Sequence, residues 1–314
     1  MPPPVLVDLD AIGPEDVVVD PDGQPITGVE DGRILRLTDE GQRIEQLADT
    51  GGRPDGIELM ADGGLLVCDA RLGLLRIDPV SGQVRTLVAA GTPTAGKPLR
   101  VCNNAAVAKD GTIYFSDSSQ RFDIDHWMAD LFEHTGTGRL LRRDPDGEVT
   151  ELLSGLQFAN GVALAADESF VVVAETGAYQ LRRVWLNGDR AGEDEVFVSN
   201  LPGVPDNLST GADGRIWIAL PSVRNPVLDW LGSRHPMLRK ILWRLPMALL
   251  MTLERRTMWA LAVDSSGAFV CDLQRRGDEH HMVTGVREHA GKLYMTGLLG
   301  RTIAVVDLPP VAVG

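Results

Sequence analysis

Oxygen-bearing side chains recur in this chain at one position of a repeated phrase. Glu15, Asp55, Asn103, Asn160 and Asp206 each stand at the mouth of a short apolar run. Seven residues on, each is followed by a turn acid: Asp22, Asp62, Asp110, Asp167 and Asp213. Glycine follows the turn acid in every copy except that of Asn160, which reads Asp167-Glu168. Taken singly, Asp and Asn are ordinary turn formers whose side chains cap local amides. Five in one register point to a shared site. Glu15, Asn103, Asn160 and Asp206 would bring two carboxylates and two amide oxygens together, a hard donor set suited to Ca²⁺, with Mg²⁺, Mn²⁺ or Zn²⁺ as substitutes. Zinc is the least favoured, because no His or Cys occupies a repeat position. A divalent cation polarises a carbonyl and stabilises an oxyanion, and a neighbouring carboxylate activates water. Hydrolysis of an ester or lactone is the chemistry such a set serves. No GxSxG nucleophile elbow is present, and the histidines at 126, 134, 235, 280, 281 and 289 avoid the repeat positions.

The intervals between successive repeat residues are 40, 48, 57 and 46, the length of a propeller blade of four short antiparallel strands. Strand-like runs such as Val17-Val18-Val19, Leu65-Leu66-Val67-Cys68-Asp69, Thr112-Ile113-Tyr114-Phe115-Ser116 and Phe170-Val171-Val172-Val173-Ala174 alternate with Gly, Asp and Pro turns. The innermost strand of each blade lines the central channel, so the repeat residues converge on the axis. A sixth copy ends at Ala290-Gly291; counting back seven places gives Val283, an apolar residue. The expectation is an all-β, six-bladed β-propeller formed by residues 1–314 as a single domain. Thr302-Ile303-Ala304-Val305-Val306 closes the ring against N-terminal strand material. Two segments break the pattern. Residues about 221–259 read as helical and basic (Arg224, Arg234, Arg239, Lys240, Arg244, Arg255, Arg256), and a shorter insertion lies at about 120–137. Both are expected to cap one face. An oligomer contact is a lesser expectation for the longer one, and a membrane contact the least favoured.

A net charge of -14 and a pI near 4.8 argue against a nucleic-acid partner. No apolar run reaches the length of a membrane span, and the N-terminus lacks a secretory leader, so a cytoplasmic location is expected. Cys68, Cys102 and Cys271 lack zinc or disulfide spacing; Cys68 and Cys271 read as core residues.

Phe158-Ala159-Asn160-Gly161-Val162, Val173-Ala174-Glu175-Thr176, Pro202-Gly203-Val204-Pro205-Asp206-Asn207 and Tyr114-Phe115-Ser116-Asp117-Ser118-Ser119 together resemble the strictosidine synthase-like family. The closer likeness is to its adipocyte plasma-membrane-associated branch. Gly138-Arg139-Leu140-Leu141 and Glu288-His289-Ala290-Gly291-Lys292-Leu293-Tyr294 extend the match to nearly the whole chain. The wider superfamily includes the gluconolactonase and senescence-marker group and the paraoxonases, six-bladed propellers with an axial divalent metal. Paraoxonase-type calcium ligands would fall on Glu15, Asn103, Asn160, Asp206 and Asn207. Gluconolactonase-type ligands would fall on Glu15, Asn160 and Asp206, with Asn103 near the substrate. Asp206 resembles the metal-bound acid proposed as the base. Asp55, Asn104, His126 and Trp127 are expected around the substrate. The glutamate of the plant synthases falls on Thr284, which disfavours a condensing lyase. The resulting expectation is a calcium-dependent hydrolase of lactones or related esters, with a non-catalytic, calcium-stabilised ligand-binding propeller as the alternative. The aromatic lids (Trp127, Phe132, Trp230, Trp243) imply a substrate more hydrophobic than a free sugar acid.

Overall fold

Runs such as Leu65–Asp69, Ile113–Asp117 and Phe170–Glu175 are buried at every position. A strand covered on both faces reads as a continuous apolar run rather than an alternating one. Stacked sheets provide that cover. In the computed structural model, which describes residues 1–225, 244, 256–277 and 279–308, six four-stranded antiparallel sheets form a six-bladed β-propeller. The innermost strands of blades 1 to 6 are Val17–Val19, Pro54–Leu59, Cys102–Val107, Ala159–Leu164, Leu208–Thr210 and Val283–His289. The sixth blade takes its outermost strand from the other end of the chain. Val5–Asp8 pairs antiparallel with Thr302–Asp307, with Val5 opposite Val305.

Six apolar clusters occupy the six interfaces between neighbouring blades. Val18, Ile57 and Leu65 lie between blades 1 and 2, and Val172, Leu208 and Ile218 between blades 4 and 5. Leu37, Tyr294 and Ile303 lie between blades 6 and 1. Each fully buried aliphatic side chain contributes about 1.5–3 kcal/mol relative to exposure, so the ring is held by face-to-face packing. The outermost strands are more exposed, as in Arg43–Asp49.

Two sequence expectations need correction. The helical insertion cannot extend to 259, because Thr257–Val263 is the third strand of blade 5, buried throughout and paired with Ile216–Ala219. Val223 forms an isolated bridge to Gly203, so the start of that insertion is loop; the helices expected between 226 and 255 fall outside the described residues, apart from exposed Arg244. Pro25–Gly28 is a strand that begins on a proline, tolerated there as the first residue. Cys271 is only partly buried, on the outermost strand of blade 5, whereas Cys68 and Cys102 are buried.

The shorter insertion is helical. A 3₁₀ turn, Ile124–His126, leads into helix Trp127–Glu133. Buried Asp130 anchors it, accepting hydrogen bonds from Ser119 Oγ at 2.5 Å and Thr135 Oγ1 at 2.6 Å. Ile124 packs with Ala70 and Val101 beneath Trp127.

Candidate metal centre and cavity

The repeat residues are aimed into the channel by breaks in strand pairing. Register shifts fall at Pro54/Gly56, Cys102/Ala105, Ala159/Val162 and Val283/Gly285; such bulges turn a side chain out of the pleat. Asp55, Asn103 and Asn160 sit inside these breaks, and Glu15 and Asp206 stand two residues before their strands. In blade 6 the break holds Thr284, not Val283. The hairpin there is shorter, with His289 opposite Lys292, so counting back from the turn lands one residue early. The sixth position is therefore polar.

The next position along shows an alternation that was present in the sequence but passed over. Blades 1, 3 and 5 carry Asp16, Asn104 and Asn207; blades 2, 4 and 6 carry Gly56, Gly161 and Gly285. A Cβ at Gly161 would lie 2.4 Å from both Asp206 O and Leu208 N, so only glycine lets blade 5 approach there. The polar side chains bridge across. Asn104 Nδ2 donates to Asp16 Oδ2 at 3.0 Å, and Val162 N donates to Asn104 Oδ1 at 2.8 Å. Ile57 N donates to Asp16 Oδ2 at 3.2 Å. Asn104 is thus a strut below the floor and does not line the cavity, in contrast to its expected role beside the substrate.

Above this layer lies a cavity of about 520 Å³. Glu15, Asp55, Asn103, Asn160, Asp206, Thr284 and Arg53 form its polar floor; Trp127, Leu131, Phe132, Phe158, Met282 and Leu298 are among its apolar lining. Trp127 lies where a substrate contact was expected. His126 does not line the cavity: it points outward, its Nδ1 2.7 Å from Asp123 Oδ1. Glu175, part of the family-like motif, holds the loop before Asn160 by accepting from Gln157 N at 2.8 Å and Gln180 Nε2 at 2.6 Å. Glu288 accepts from Trp217 Nε1 at 2.7 Å, a packing role. Arg53, Met282 and Leu298 were missed; for Arg53 the available signal was its place two residues before Asp55.

The floor concentrates acid. Burial, then the charges of Asp206 and Asp55, raises the Glu15 carboxyl well above its ordinary value. Burial pushes Asp206 up to about 8, assisted by Asp55 and Asp16 and opposed by hydrogen bonds from Asn160 and Asn207. Burial raises Asp55 to about 7 against the pull of Arg53, and Asp16 to about 6 against Arg287. Glu15 Oε2, Asn160 Oδ1 and Asn207 Oδ1 are buried without a hydrogen-bond partner. Orphaned buried oxygens are costly, and these three are hard donors from blades 1, 4 and 5. Asn207 lies outside the cavity lining, with Nδ2 donating to Glu15 O at 3.3 Å. The residues fit a hard divalent cation. Among the described residues no cluster of three or more His, Cys, Asp or Glu is set to hold a metal, which leaves a mixed carboxylate and amide set as the candidate.

The fold is shared with gluconolactonase-like propellers. A gluconolactonase from Xanthomonas campestris superposes with TM-score 0.69 at 19% identity, covering 98% of this chain and 90% of that one. A calcium-binding regucalcin from Agrobacterium tumefaciens gives 0.64 at 15% identity, covering 96% and 91%. In sequence, the Strictosidine synthase family model matches residues 103–189 and the Strictosidine synthase-like, N-terminal model residues 5–37. An adipocyte plasma membrane-associated protein from Salmo salar is 36% identical over 310 residues, 91% of this chain and 73% of its own length. Protein STRICTOSIDINE SYNTHASE-LIKE 3 of Arabidopsis thaliana is 34% identical over 327 residues, 95% and 83% respectively. The chain belongs to the strictosidine synthase-like family. Among the described residues no helix is long and apolar enough to cross a membrane.

Proposed function

We propose that this protein is a divalent-metal-dependent hydrolase of lactones or related esters, with calcium the favoured ion. The observation that carries the reading is the pair of partnerless buried oxygens Glu15 Oε2 and Asn160 Oδ1, beside Asp206 at the floor of a largely apolar cavity, with a third, Asn207 Oδ1, next in sequence to Asp206. Glu15, Asn103, Asn160, Asp206 and Asn207 would hold the cation. When bound, it supplies charge that polarises an ester carbonyl and stabilises the developing oxyanion. Asp206 takes a proton from the attacking water and returns it to the leaving alkoxide. The acyl C–O bond breaks to give an acid and an alcohol, joined as one hydroxy acid when the substrate is a lactone. Burial otherwise keeps Asp206 protonated near neutral pH, and a nearby cation favours the carboxylate form needed of a base. The Trp127–Phe132 wall excludes water and selects an apolar substrate body. Thr284 Oγ1 donates to Glu15 O at 2.8 Å; a hydroxyl so engaged offers no proton-accepting carboxylate, which weighs against a condensation reaction.

The test measures divalent-ion content and turnover of a panel of lactones and aryl esters, wild type against Asn160→Ala. Loss of both metal and turnover is expected. Unchanged metal content in the variant would overturn the ring. A second reading, a non-catalytic ligand-binding propeller that uses the ion for stability, draws on the same crowding of buried carboxylates. It prevails if chelation unfolds the protein while the whole panel stays uncleaved.

A further inference from the structure

Among the described residues the polar floor contains one cation, Arg53, and a second arginine, Arg224, lines the cavity away from it in sequence. Arg53 immediately precedes the innermost strand of blade 2, its carbonyl accepting from Ala70 N at 2.9 Å. Its side chain is 15% exposed and lines the cavity. Asp55 Oδ1 accepts from its Nε at 3.3 Å, fixing the orientation of the guanidinium. That is one of five N–H donors; the two terminal nitrogens have no hydrogen-bond partner among the described residues. Burial works against the charge of Arg53, yet Asp55, Glu15 and Glu30 keep it protonated. A guanidinium held from one side with its fork open is a preformed carboxylate receptor. Much of the remaining wall is apolar, with Trp127, Leu131, Phe132 and Met282 facing the same space.

We propose that Arg53 is a carboxylate-binding, specificity-determining residue, and that the cavity takes amphiphilic monocarboxylates with the acid group on Arg53 and the aliphatic body against the Trp127–Phe132 wall. The proposal deepens the hydrolase reading and rests on it only for the origin of the acid. The carboxylate is either the acid that hydrolysis releases or a second acid group carried by the substrate.

The experiment measures binding of octanoate and octanol to the calcium-loaded full-length protein by calorimetry, for wild type, Arg53→Gln and Arg53→Lys. Wild type is expected to bind octanoate about 10- to 100-fold more tightly than octanol, the range for hydrogen bonds to a charged group. Arg53→Gln is expected to erase that preference and leave octanol binding unchanged, while Arg53→Lys gives an intermediate value because it keeps the charge and loses the fork. Equal wild-type affinities, or a preference that survives Arg53→Gln, overturn the proposal. If Arg53→Gln also loses octanol, Arg53→Lys decides: a reduced preference with intact octanol binding supports the assignment, and a full preference refutes it. Kinetics separate the sources. Octanoate competing with a neutral lactone, relieved by Arg53→Gln, marks the product acid; a higher kcat/KM for a carboxylate-bearing lactone than for its methyl ester marks the substrate's own. Binding is read without turnover, so octanoate preference in a catalytically silent protein sinks only the hydrolase reading, and neutral-lactone turnover without that preference sinks only the role of Arg53.

Discussion

In blades 1 to 5 the two ends of the innermost strand carry oxygen-bearing side chains under opposite conditions. At the axial end Glu15, Asp55 and Asp206 are crowded, and burial raises their carboxyls. Seven residues on, Asp62, Asp110, Asp167 and Asp213 stand in hairpin turns where Gly64, Thr112, Ser169 and Arg215 donate backbone N–H groups to them. Those bonds, together with the Ser169 hydroxyl that leads at Asp167 and the Arg215 guanidinium that leads at Asp213, favour the charged form, and the four carboxyls lie below their ordinary value. The turn acids have their partners built in, two residues away. At the axis, several oxygens are left for something the chain does not supply. Aspartate at a repeat position is therefore legible as a position; whether it is a cap or a ligand depends on local amides and on water.

The comparison predicts its largest effect at Asp206. Asp206→Asn preserves shape and removes the carboxylate. Lactone or aryl-ester kcat is expected to fall by at least about 100-fold, the scale of losing one preorganised electrostatic group or a general base. Divalent affinity should fall with it. Full turnover in this variant would leave the axial ring no more catalytic than the turns.

A second effect concerns stability and runs in opposite directions at the two ends. Asp206, Asp55 and Asp16 are raised in the fold to about 8, 7 and 6, against unfolded values near 4. Their contribution to stability is fully present below about pH 4 and is lost as pH rises through 6 to 8. Protein stripped of metal with a chelator should therefore melt at a temperature at least about 4 °C lower at pH 8 than at pH 5, a shift well within reach of 1–2 kcal/mol. Added calcium should flatten that slope. A chelated protein whose melting temperature climbs from pH 5 to 8 would show that the axial acids are not strained.

Much of this architecture was legible because blades repeat. The spacing from Glu15 to Asp206 gave the channel strands, and the terminal pairing followed from the need to close a ring. What was not legible depended on offsets of one residue. Thr284 was lost because its hairpin is tighter than the others. Asn104 was placed beside the substrate because it adjoins Asn103, yet strand geometry sends it below the floor to Asp16. His126 was drawn to the site by its chemistry, while the turn before the helix faces it toward Asp123. Arg53 escaped notice because the ring argument looked for oxygens, and a cation enters only once the crowding of acids is visible.

The smallest predicted effect lies at the turns and marks the contrast most sharply. Asp110 is exposed and accepts from Thr112 N at 2.8 Å, and its lowered carboxyl owes most to that bond. Asp110→Ala removes the acceptor of Thr112 N, but the acid itself is exposed, so the cost should be only about 0.5–1 kcal/mol after allowing for solvent screening. A carboxyl lowered in the fold contributes stability above about pH 4 and loses it as pH falls through the folded value. Wild type and Asp110→Ala should thus differ in denaturant midpoint at pH 7 and converge toward pH 2. Metal content and kcat/KM should be unchanged. A drop in either, comparable to that of Asp206→Asn, would mean that the two ends of the strand are coupled and that the repeat acts as one unit.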